Sequence, residues 1–510
     1  MLESTPRIQA QLSEALVVIG KHDFPRQWTE LLPLLNTRLQ QALSDGGNYA
    51  SINGILGTAN SLFKKFRHEY GTNDLRLDLR YCLDNVAVPL LQLFSHTASL
   101  IDSGVSSGTS AANLKPLFES QRLCCRIFYS FNYQDLPDLF EDNMELFMNV
   151  FVKYLTASYP SLEQGSELAL VDNLRAAICE FLTLYVQRTE EPFERYVGEF
   201  ERAVRSLLIT VSASSGRDHL AITTIKFLAM VSTKADHYKL FDDASLDQIC
   251  RSIVIPNVML REEDEELFEF NYIEFIRRDM EGSDVGTRRR AACELIKGIA
   301  THYREKVATM VNNVIQTMLA TCSENPASNW KYKDSAIYLV ISLCTATHYR
   351  EKVATMVNNV FTGFFDLQSF FTLVVVPELQ SQDVNLYPLL KAGALKFITV
   401  FRDELPKSNV MPLVPQVVRF LGAESNVVHT YAAILIDKVL LVKDEGRARY
   451  VASDIAPYLP VLLNNLFSAL KFPESEENQY AMKCIMQVLS VADVPSDVAA
   501  SCMSAPGAAC

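Results

Sequence analysis

Hydrophobic side chains recur along this chain at steps of three and four residues, which is the spacing of one face of an α-helix. One such stripe runs from Leu174 to Tyr185 and a second from Phe193 to Leu208, and the residues between them, Thr189–Pro192, interrupt the pattern. The two stripes predict an antiparallel pair of helices. Neither helix can bury its stripe alone, so the pattern also predicts further pairs packed on both sides.

Prolines near the start of such stripes support the same architecture. Pro25 and Pro137 each follow an aspartate by two positions. Both segments predict a helix start, because a proline fits the first helical turn and an aspartate can cap its spare N–H groups. Pro415 and Pro460 lie 45 residues apart, each at the head of an apolar run. Since HEAT and armadillo repeats are about 40–47 residues long, we predict an all-α fold, an α-solenoid superhelix of HEAT repeats.

The composition agrees with a helical fold. Glycine accounts for 19 of 510 residues, about half of its usual share, which leaves little of the turn chemistry that a many-stranded protein needs. The longest strongly apolar run, Phe370–Val376, is rich in β-branched residues. Because it lies among helical segments and is followed by Pro377, we predict a buried helix there.

The charge balance narrows the class of partner. Lysine and arginine number 47 and aspartate and glutamate 60, a formal net charge of −13. The chain lacks the basic surface that neutralises phosphates, so we expect no nucleic-acid partner. The electrostatic field of a negatively charged chain favours encounters with basic proteins.

Cysteine usage and the start of the chain suggest a compartment. The 11 cysteines form no C-x-x-C pair and are odd in number, which disfavours a disulfide framework. The first residues lack the basic and apolar regions of a signal peptide, and no apolar run approaches the roughly 20 residues that cross a bilayer. We expect an intracellular protein without membrane insertion.

Few residues suggest catalysis. Residues 104–108 match the pattern G-x-S-x-G around Ser106. A nucleophile elbow needs a strand before that serine and a helix directly after it, whereas here the pattern falls in a Ser- and Gly-rich segment between predicted helices. The eight histidines never approach metal-ligand spacing, so we expect no enzymatic activity, no metal and no cofactor.

The most distinctive segment is acidic. Glu262–Glu281 contains nine carboxylates against two arginines, a local net charge of −7. One interpretation is a solvated helix face held by pairs such as Glu274 with Arg278. The other is a partner-contact element, in which a basic protein relieves the repulsion and the aromatic residues Phe268, Tyr272 and Phe275 offer an apolar helix face. The candidate partner-binding residues here are Glu262, Glu263, Asp264, Glu265, Glu266, Phe268, Glu269, Tyr272, Arg277, Arg278, Arg288, Arg289 and Arg290.

A second candidate segment is basic and lies at the end of a predicted helix. Lys64, Lys65 and Arg67 follow an apolar stripe, where cations complement the partial negative charge at a helix C-terminus. These three residues predict either a stabilised helix end or a contact with an acidic partner.

Two stretches differ from an ordinary repeat array. Residues 300–314 recur identically at residues 346–360; we interpret this as a recent duplication or a sequence-assembly error, because solenoid repeats need not preserve their solvent face. Residues 491–510 change abruptly to Ala, Ser, Pro and Cys. We therefore predict a HEAT-repeat array over residues 1–490 and an atypical, disordered tail over residues 491–510.

Longer motifs resemble the importin-alpha re-exporting exportins of the importin-beta superfamily. The resemblance extends from about Gln11 to Met486, and together its motifs are highly specific. They are DFPRQWTELL (23–32), SLFKKFRHEY (61–70), FYSFNYQDLPDLFEDNME (128–145), HYKLFDD (237–243), IRRDMEGSDVGTRRRAACEL (276–295), NPASNWKYKDSAIYLV (325–340), VVHTYAA (427–433) and SEENQYAMKCIM (475–486).

The resemblance implies a function as well as a fold. Exportins of this kind are HEAT-repeat superhelices that bind importin-alpha together with Ran-GTP, cross the nuclear pore in contact with nucleoporins, and release their cargo when GTP hydrolysis removes Ran. They shuttle between nucleus and cytoplasm. The acidic stretch, residues 262–281, corresponds to an extended insertion in a middle repeat that is implicated in contacts with both ligands.

The chain also departs from that family. We expect it to lack the first two or so repeats and the C-terminal half, and we expect residues 346–360 and 491–510 to match nothing in the family, as in a fragment or faulty gene model. A generic HEAT-repeat scaffold and an import receptor of the same superfamily stay open as alternatives. Ran-GTP separates them, because a scaffold ignores it, an import receptor loses cargo to it, and an exportin gains cargo with it.

Overall fold

A computed structural model describes residues 6–44, 47–67, 70–163, 168–280, 286–344, 366–472, 475 and 478–492. The second copy of the repeated sequence, residues 346–360, and the tail beyond residue 492 lie outside the described residues. The chain divides into two compact units, Met1–Ile253 and Val254–Cys510.

The first unit is built from two layers of helices. One layer contains α1, α3, α5, α8 and α11, which contact one another in that order; in the other, α2 packs on α4 and α7 on α10. Contacts of α2 with α3, α4 with α5, α7 with α8 and α10 with α11 join the layers. The helices are α1 (Pro6–Asp23), α2 (Leu31–Ser44), α3 (Tyr49–Phe63), α4 (Asn73–Ser106), α5 (Ala111–Asn132), α6 (Asp138–Asp142), α7 (Met144–Thr156), α8 (Leu168–Arg188), α9 (Glu191–Glu194), α10 (Val197–Ser212), α11 (Asp218–Thr233) and α12 (Asp243–Ile249), with 3-10 turns at Lys64–Arg67 and Tyr238–Leu240.

Both predicted apolar stripes of this unit form helices, but their pairing differs from the prediction. The stripe from Leu174 to Tyr185 is buried in α8, which packs against α5 and α11. The stripe from Phe193 to Leu208 spans α9 and α10, and α10 packs against α7 and α11. The two stripes therefore pack mainly against α5, α7 and α11 and little against each other.

Two sequence predictions about helix ends need correction. No helix begins at Pro25: residues 24–27 form a turn after α1, because Phe24 is drawn into the core, and α2 starts at Leu31. Ser106 is the last residue of the 34-residue helix α4. The G-x-S-x-G pattern therefore lies at a helix end and continues into a loop, the reverse of the strand-to-helix turn that a nucleophile elbow requires.

The second unit repeats the two-layer arrangement. Helices α16, α17, α20, α23 and α26 contact one another in that order, and α19, α22 and α25 cover them. The helices are α13 (Ile255–Val258), α14 (Glu262–Phe270), α15 (Tyr272–Met280), α16 (Arg288–Glu324), α17 (Pro326–Cys344), α18 (Leu367–Phe370), α19 (Val376–Leu379), α20 (Pro388–Val400), α21 (Lys407–Val410), α22 (Val414–Phe420), α23 (Asn426–Leu440), α24 (Ala452–Ile455), α25 (Leu459–Ala469) and α26 (Gln479–Val491).

Short irregular elements join these helices. Cys250–Val254, which follows α12 of the first unit, and Phe371–Val375 are π-helical turns, and Met411–Leu413 is a 3-10 turn. Strands β1 (Lys443–Asp444) and β2 (Arg447–Ala448) pair antiparallel, with Lys443 opposite Ala448.

The structure confirms the helix predicted at the apolar run Phe370–Val376. The run crosses from α18 through the π-helical turn into α19, and Phe370, Phe371, Val374 and Val375 are buried. In the part of the chain that the structure describes, no helix is long and apolar enough to cross a membrane.

Candidate partner-contact surface

The acidic segment, defined here as residues 262–280, belongs to the second unit. It forms the two short helices α14 and α15 between α13 and α16. Four carboxylates in the first turn of α14 favour its start, because they face the positive end of the helix dipole. Asn271 ends that helix in a non-helical conformation (φ −143°, ψ 62°). Its Oδ1 accepts a hydrogen bond of 3.2 Å from the backbone N–H of Glu274, which caps α15.

One side of the acidic segment is buried in the second unit. Phe268 and Ile276 are 7% and 2% exposed. The Phe268 ring meets the Phe275 ring edge-to-face with 5.0 Å between centroids, which joins α14 to α15. This apolar contact fixes α14 and α15 relative to each other.

Asp279 anchors the end of α15 to two distant helices. Lys396 of α20 donates from Nζ to the carboxylate at 2.6 Å and to the Asp279 carbonyl oxygen at 2.9 Å. The Tyr431 hydroxyl of α23 donates to the other carboxylate oxygen at 2.6 Å. Burial alone would disfavour the charged form, but Lys396 and Tyr431 outweigh it and hold the pKa of Asp279 below its ordinary value.

Further contacts fix the start of the segment. Glu265 pairs with Lys331 of α17 at 2.8 Å. Burial raises the pKa of the Asp264 carboxyl, and its Oδ2 accepts a hydrogen bond of 3.2 Å from the backbone N–H of Arg261. Candidates Glu265 and Asp264 are therefore engaged within the chain.

The arginine triplet after the segment is also largely committed to the interior. Arg288 is 3% exposed. Arg289 donates to the Val258 carbonyl at 2.8 Å and to Asp334 at 2.7 Å, and it stacks over the Tyr338 ring at 4.0 Å. Arg290 is half-buried in the first turn of α16. Arg288 and Arg289 thus connect α16 to α13, and Arg289 also connects α16 to α17.

The outward side of the acidic segment carries exposed carboxylates. Glu262, Glu263, Glu266 and Glu269 are exposed, and none of them has an ion pair within the described residues. Two large apolar side chains accompany them at the corner between the helices: Phe270 is 80% exposed and Ile273 is 65% exposed. Arg277 is exposed, and Arg278 bonds Glu274 at 2.7 Å, the i,i+4 pair that the sequence predicts.

The sequence predicts Phe268, Tyr272 and Phe275 as the apolar face of a helix. In the structure, the break at Asn271 changes the direction of the chain between α14 and α15. Phe268 is buried, Tyr272 and Phe275 are half-buried, and Phe270 and Ile273 are exposed. The cap-forming asparagine was the signal in the sequence that could have revealed the break.

The basic end after α3 contributes one outward cation. Lys64 is exposed, and its pKa is lowered by partial burial and by the nearby Arg67, Arg126 and Arg122. Lys65 is tied to the Phe24 carbonyl at 2.6 Å and to Asp78 at 3.2 Å.

Arg67 belongs to the interior of the first unit. It is 5% exposed and donates to Ser130, to Asn60 and to the Arg126 carbonyl at 2.8, 3.0 and 2.8 Å. Burial and the neighbouring Arg126 lower its pKa to about 10. These bonds of Lys65 and Arg67 therefore join α3 and the turn after it to neighbouring elements of the first unit, and none of these bonds is to a C-terminal carbonyl oxygen of α3.

Neither basic end nor acidic segment supplies a metal site. Within the ranges described by the structure, no group of three or more histidine, cysteine, aspartate or glutamate side chains could hold a metal ion. The chemistry available at these surfaces is charge pairing and apolar contact.

Comparison with known proteins decides the family. A family model described as Cse1 matches residues 62–436, and a second model, described as the C-terminus of the CAS/CSE protein, matches residues 437–505. The chain belongs to the Cse1 family. The second match extends through residue 505, so the expectation that residues 491–510 match nothing in the family is wrong for most of that stretch.

Curated members of the Cse1 family show which proteins the chain is similar to. It is 40% identical over 495 residues to Exportin-2 of Bos taurus and, over the same length, to Exportin-2 of Homo sapiens, in each case covering 96% of this chain and 50% of the relative. The chain spans about half the length of the curated relatives it matches.

A solved structure of the Cse1 family supports the fold. The structure titled "The exportin Cse1 in its cargo-free, cytoplasmic state" superimposes with a TM-score of 0.81 at 30% identity, covering 96% of this chain and 51% of that one. This match confirms the predicted all-α solenoid of HEAT repeats.

Proposed function

We propose that this chain acts as a nuclear export receptor that binds importin-alpha together with Ran-GTP and returns importin-alpha to the cytoplasm. The observation that supports it is the 40% identity to Exportin-2 over 96% of the chain. The proposal includes shuttling between nucleus and cytoplasm, contact with nucleoporins during passage, and no catalysis by the chain itself.

Thermodynamic linkage would supply the mechanism. If importin-alpha and Ran-GTP both favour the same arrangement of repeats, each raises the affinity for the other by the same factor. The nucleotide on Ran then sets the direction of transport. The receptor needs no reacting groups for this, only two contact surfaces on one deformable array.

We further propose that the outward side of the acidic segment is one of those contact surfaces. Its exposed carboxylates Glu262, Glu263, Glu266 and Glu269 would attract a basic partner, speeding encounter at low salt. The internal anchors at Asp279 and Glu265 hold this side in place, so little conformational entropy is lost on binding.

The decisive experiment is a binding titration at physiological salt. Importin-alpha is titrated against the purified chain with and without Ran loaded with a non-hydrolysable GTP analogue, and full-length bovine Exportin-2 serves as the positive control. An export receptor binds importin-alpha at least tenfold more tightly when Ran-GTP is present. Binding that Ran-GTP does not change indicates a scaffold, and binding that Ran-GTP abolishes indicates an import receptor.

A further inference from the structure

An apolar cavity of about 40 Å³ lies in the second unit among α20, α22, α23 and α25. Its walls are mainly isoleucine, leucine and valine side chains, among them Ile398, Val417, Leu435 and Leu462, which are at most 5% exposed. About 10–15 Å³ is enough to hold one water molecule, so the cavity has room for about three water-sized groups. Cavities with such apolar walls stay dry and accept small apolar molecules.

One wall of the cavity carries a hydroxyl group that lacks a hydrogen-bond partner. Tyr450 lines the cavity and is 2% exposed, and its hydroxyl bonds to no other group within the residues that the structure describes. Burial raises the pKa of Tyr450, so the hydroxyl stays protonated at neutral pH and can donate. A buried donor without an acceptor lowers stability, and an acceptor atom on a bound molecule would supply the missing bond.

The cavity reaches the protein surface at half-buried side chains. Met411, Val414 and Tyr458 belong to its walls, and each is partly exposed. Met411 lies in the 3-10 turn before α22, Val414 begins α22, and Tyr458 directly precedes α25. Rotation of such partly exposed side chains is fast, which gives a small molecule a route into the cavity between α22 and α25.

We propose that this cavity binds a compact apolar molecule of about three to five non-hydrogen atoms with one hydrogen-bond acceptor, a short-chain ketone or ether. The apolar walls would bury the hydrocarbon part, and the Tyr450 hydroxyl would donate to the oxygen. A charged molecule is disfavoured, because the described side chains that line the cavity carry no charge to pair with it. Since the molecule would contact α22, α23 and α25 together, its binding should also stabilise their packing.

The test compares two molecules of the same shape. 2-Butanone and 2-methyl-1-butene share one branched skeleton, but only the ketone carries an acceptor. Each is titrated against the full chain with ¹³C-labelled methyl groups on isoleucine, leucine and valine, and the NMR shifts of these groups give both the location and the affinity. We expect both molecules to shift the methyl groups of Val417 and Leu435, and to leave unchanged those of Ile178 in the core of the first unit.

Two tyrosine variants test the role of the hydroxyl. Tyr450→Phe removes it from the cavity. Tyr154→Phe is the matched control, because Tyr154 in α7 of the first unit is also 2% exposed and its hydroxyl likewise has no partner in the described part of the chain. Each change removes an unsatisfied hydroxyl, so both variants should melt no lower than wild type.

The two molecules should respond differently to these variants. We expect Tyr450→Phe to bind 2-butanone about fivefold more weakly than wild type does, through the lost hydrogen bond, and to bind 2-methyl-1-butene with unchanged affinity. The control variant should match wild type for both molecules.

Two results would overturn the proposal. In the first, neither molecule shifts the methyl groups of Val417 and Leu435, which would mean that the cavity takes no ligand of this class. In the second, both molecules bind but Tyr450→Phe loses no affinity for the ketone, which would mean that the hydroxyl recognises no acceptor. Importin-alpha and Ran-GTP take no part in these titrations, so neither result affects the proposed export function.

Discussion

Asp279 shows how single residues hold the acidic segment in place. The carboxylate receives hydrogen bonds from the Lys396 ammonium and the Tyr431 hydroxyl, both at 2.6 Å. Desolvation of both charges opposes this pair, and the close geometry and the additional tyrosine bond offset that cost. Removing one partner of this ion pair lowers the stability more than replacing both partners with apolar residues does, because the remaining charge stays unpaired in a poorly solvated site.

We therefore expect Asp279→Asn to destabilise the second unit by about 3 kcal/mol. The loss should appear as faster amide exchange in α15, α20 and α23, measured by mass spectrometry on the intact chain. Asp247→Asn is the matched control, because its pair with Arg251 leaves both side chains more than 60% exposed, and it should change nothing measurable. Equal protection in both variants would refute the anchoring role.

The same carboxylate predicts a pH dependence. The pKa of Asp279 lies below its ordinary value in the folded chain, mainly because Lys396 and Tyr431 outweigh the effect of burial. Its contribution to the free energy of unfolding is therefore complete above the unfolded pKa of about 3.9 and is lost as the pH falls through the lower folded pKa. Wild type should lose stability more steeply than Asp279→Asn below about pH 4, as measured by denaturant unfolding; parallel curves would contradict this.

At the scale of elements, aromatic contacts join the helices of the first unit. Phe147 of α7 lies 5.6 Å from the Phe94 ring of α4, 5.1 Å from Phe128 of α5 and 5.2 Å from Phe140 of α6, measured between ring centroids. All four side chains are at most 1% exposed. One residue of a 13-residue helix thus connects three other elements.

We expect Phe147→Ala to cost about 3–5 kcal/mol, through lost burial and the cavity left among these rings. Leu146→Ala is the matched control: the neighbouring residue on the same helix is 37% exposed, and its truncation should cost less than about 1 kcal/mol. Thermal unfolding followed by circular dichroism compares the two. Similar losses of stability in the two variants would mean that Phe147 does not contribute more than Leu146 to the packing of α7.

At the scale of the whole molecule, the proposed receptor must obey reciprocity. If Ran-GTP raises the affinity for importin-alpha by a given factor, importin-alpha must raise the affinity for Ran-GTP by the same factor. Calorimetric titrations in both orders measure the two factors independently. A chain that covers half of Exportin-2 can bind each ligand and yet lack coupling, in which case both factors equal one and the coupling requires parts of the relatives outside this chain.

The sequence by itself determined the class of fold and the location of the charged elements. Helical periodicity follows from local spacing, so α8, α10 and the helix through Phe370–Val376 could be predicted, and so could the acidic stretch and the Glu274–Arg278 pair. The family motifs, distributed over most of the chain, pointed to the exportins. These features depend on residues close together in sequence.

Only the tertiary structure decided which side of the acidic segment faces water. The anchors of Asp279 lie 117 and 152 residues away, a pairing that no local pattern encodes. The break at Asn271 sets the orientation of α15 relative to α14, and packing on α5 buries Arg67. Burial depends on contacts among distant residues, so the sequence could name the charged segments, and the packing of the repeats selected the side chains that a partner can reach.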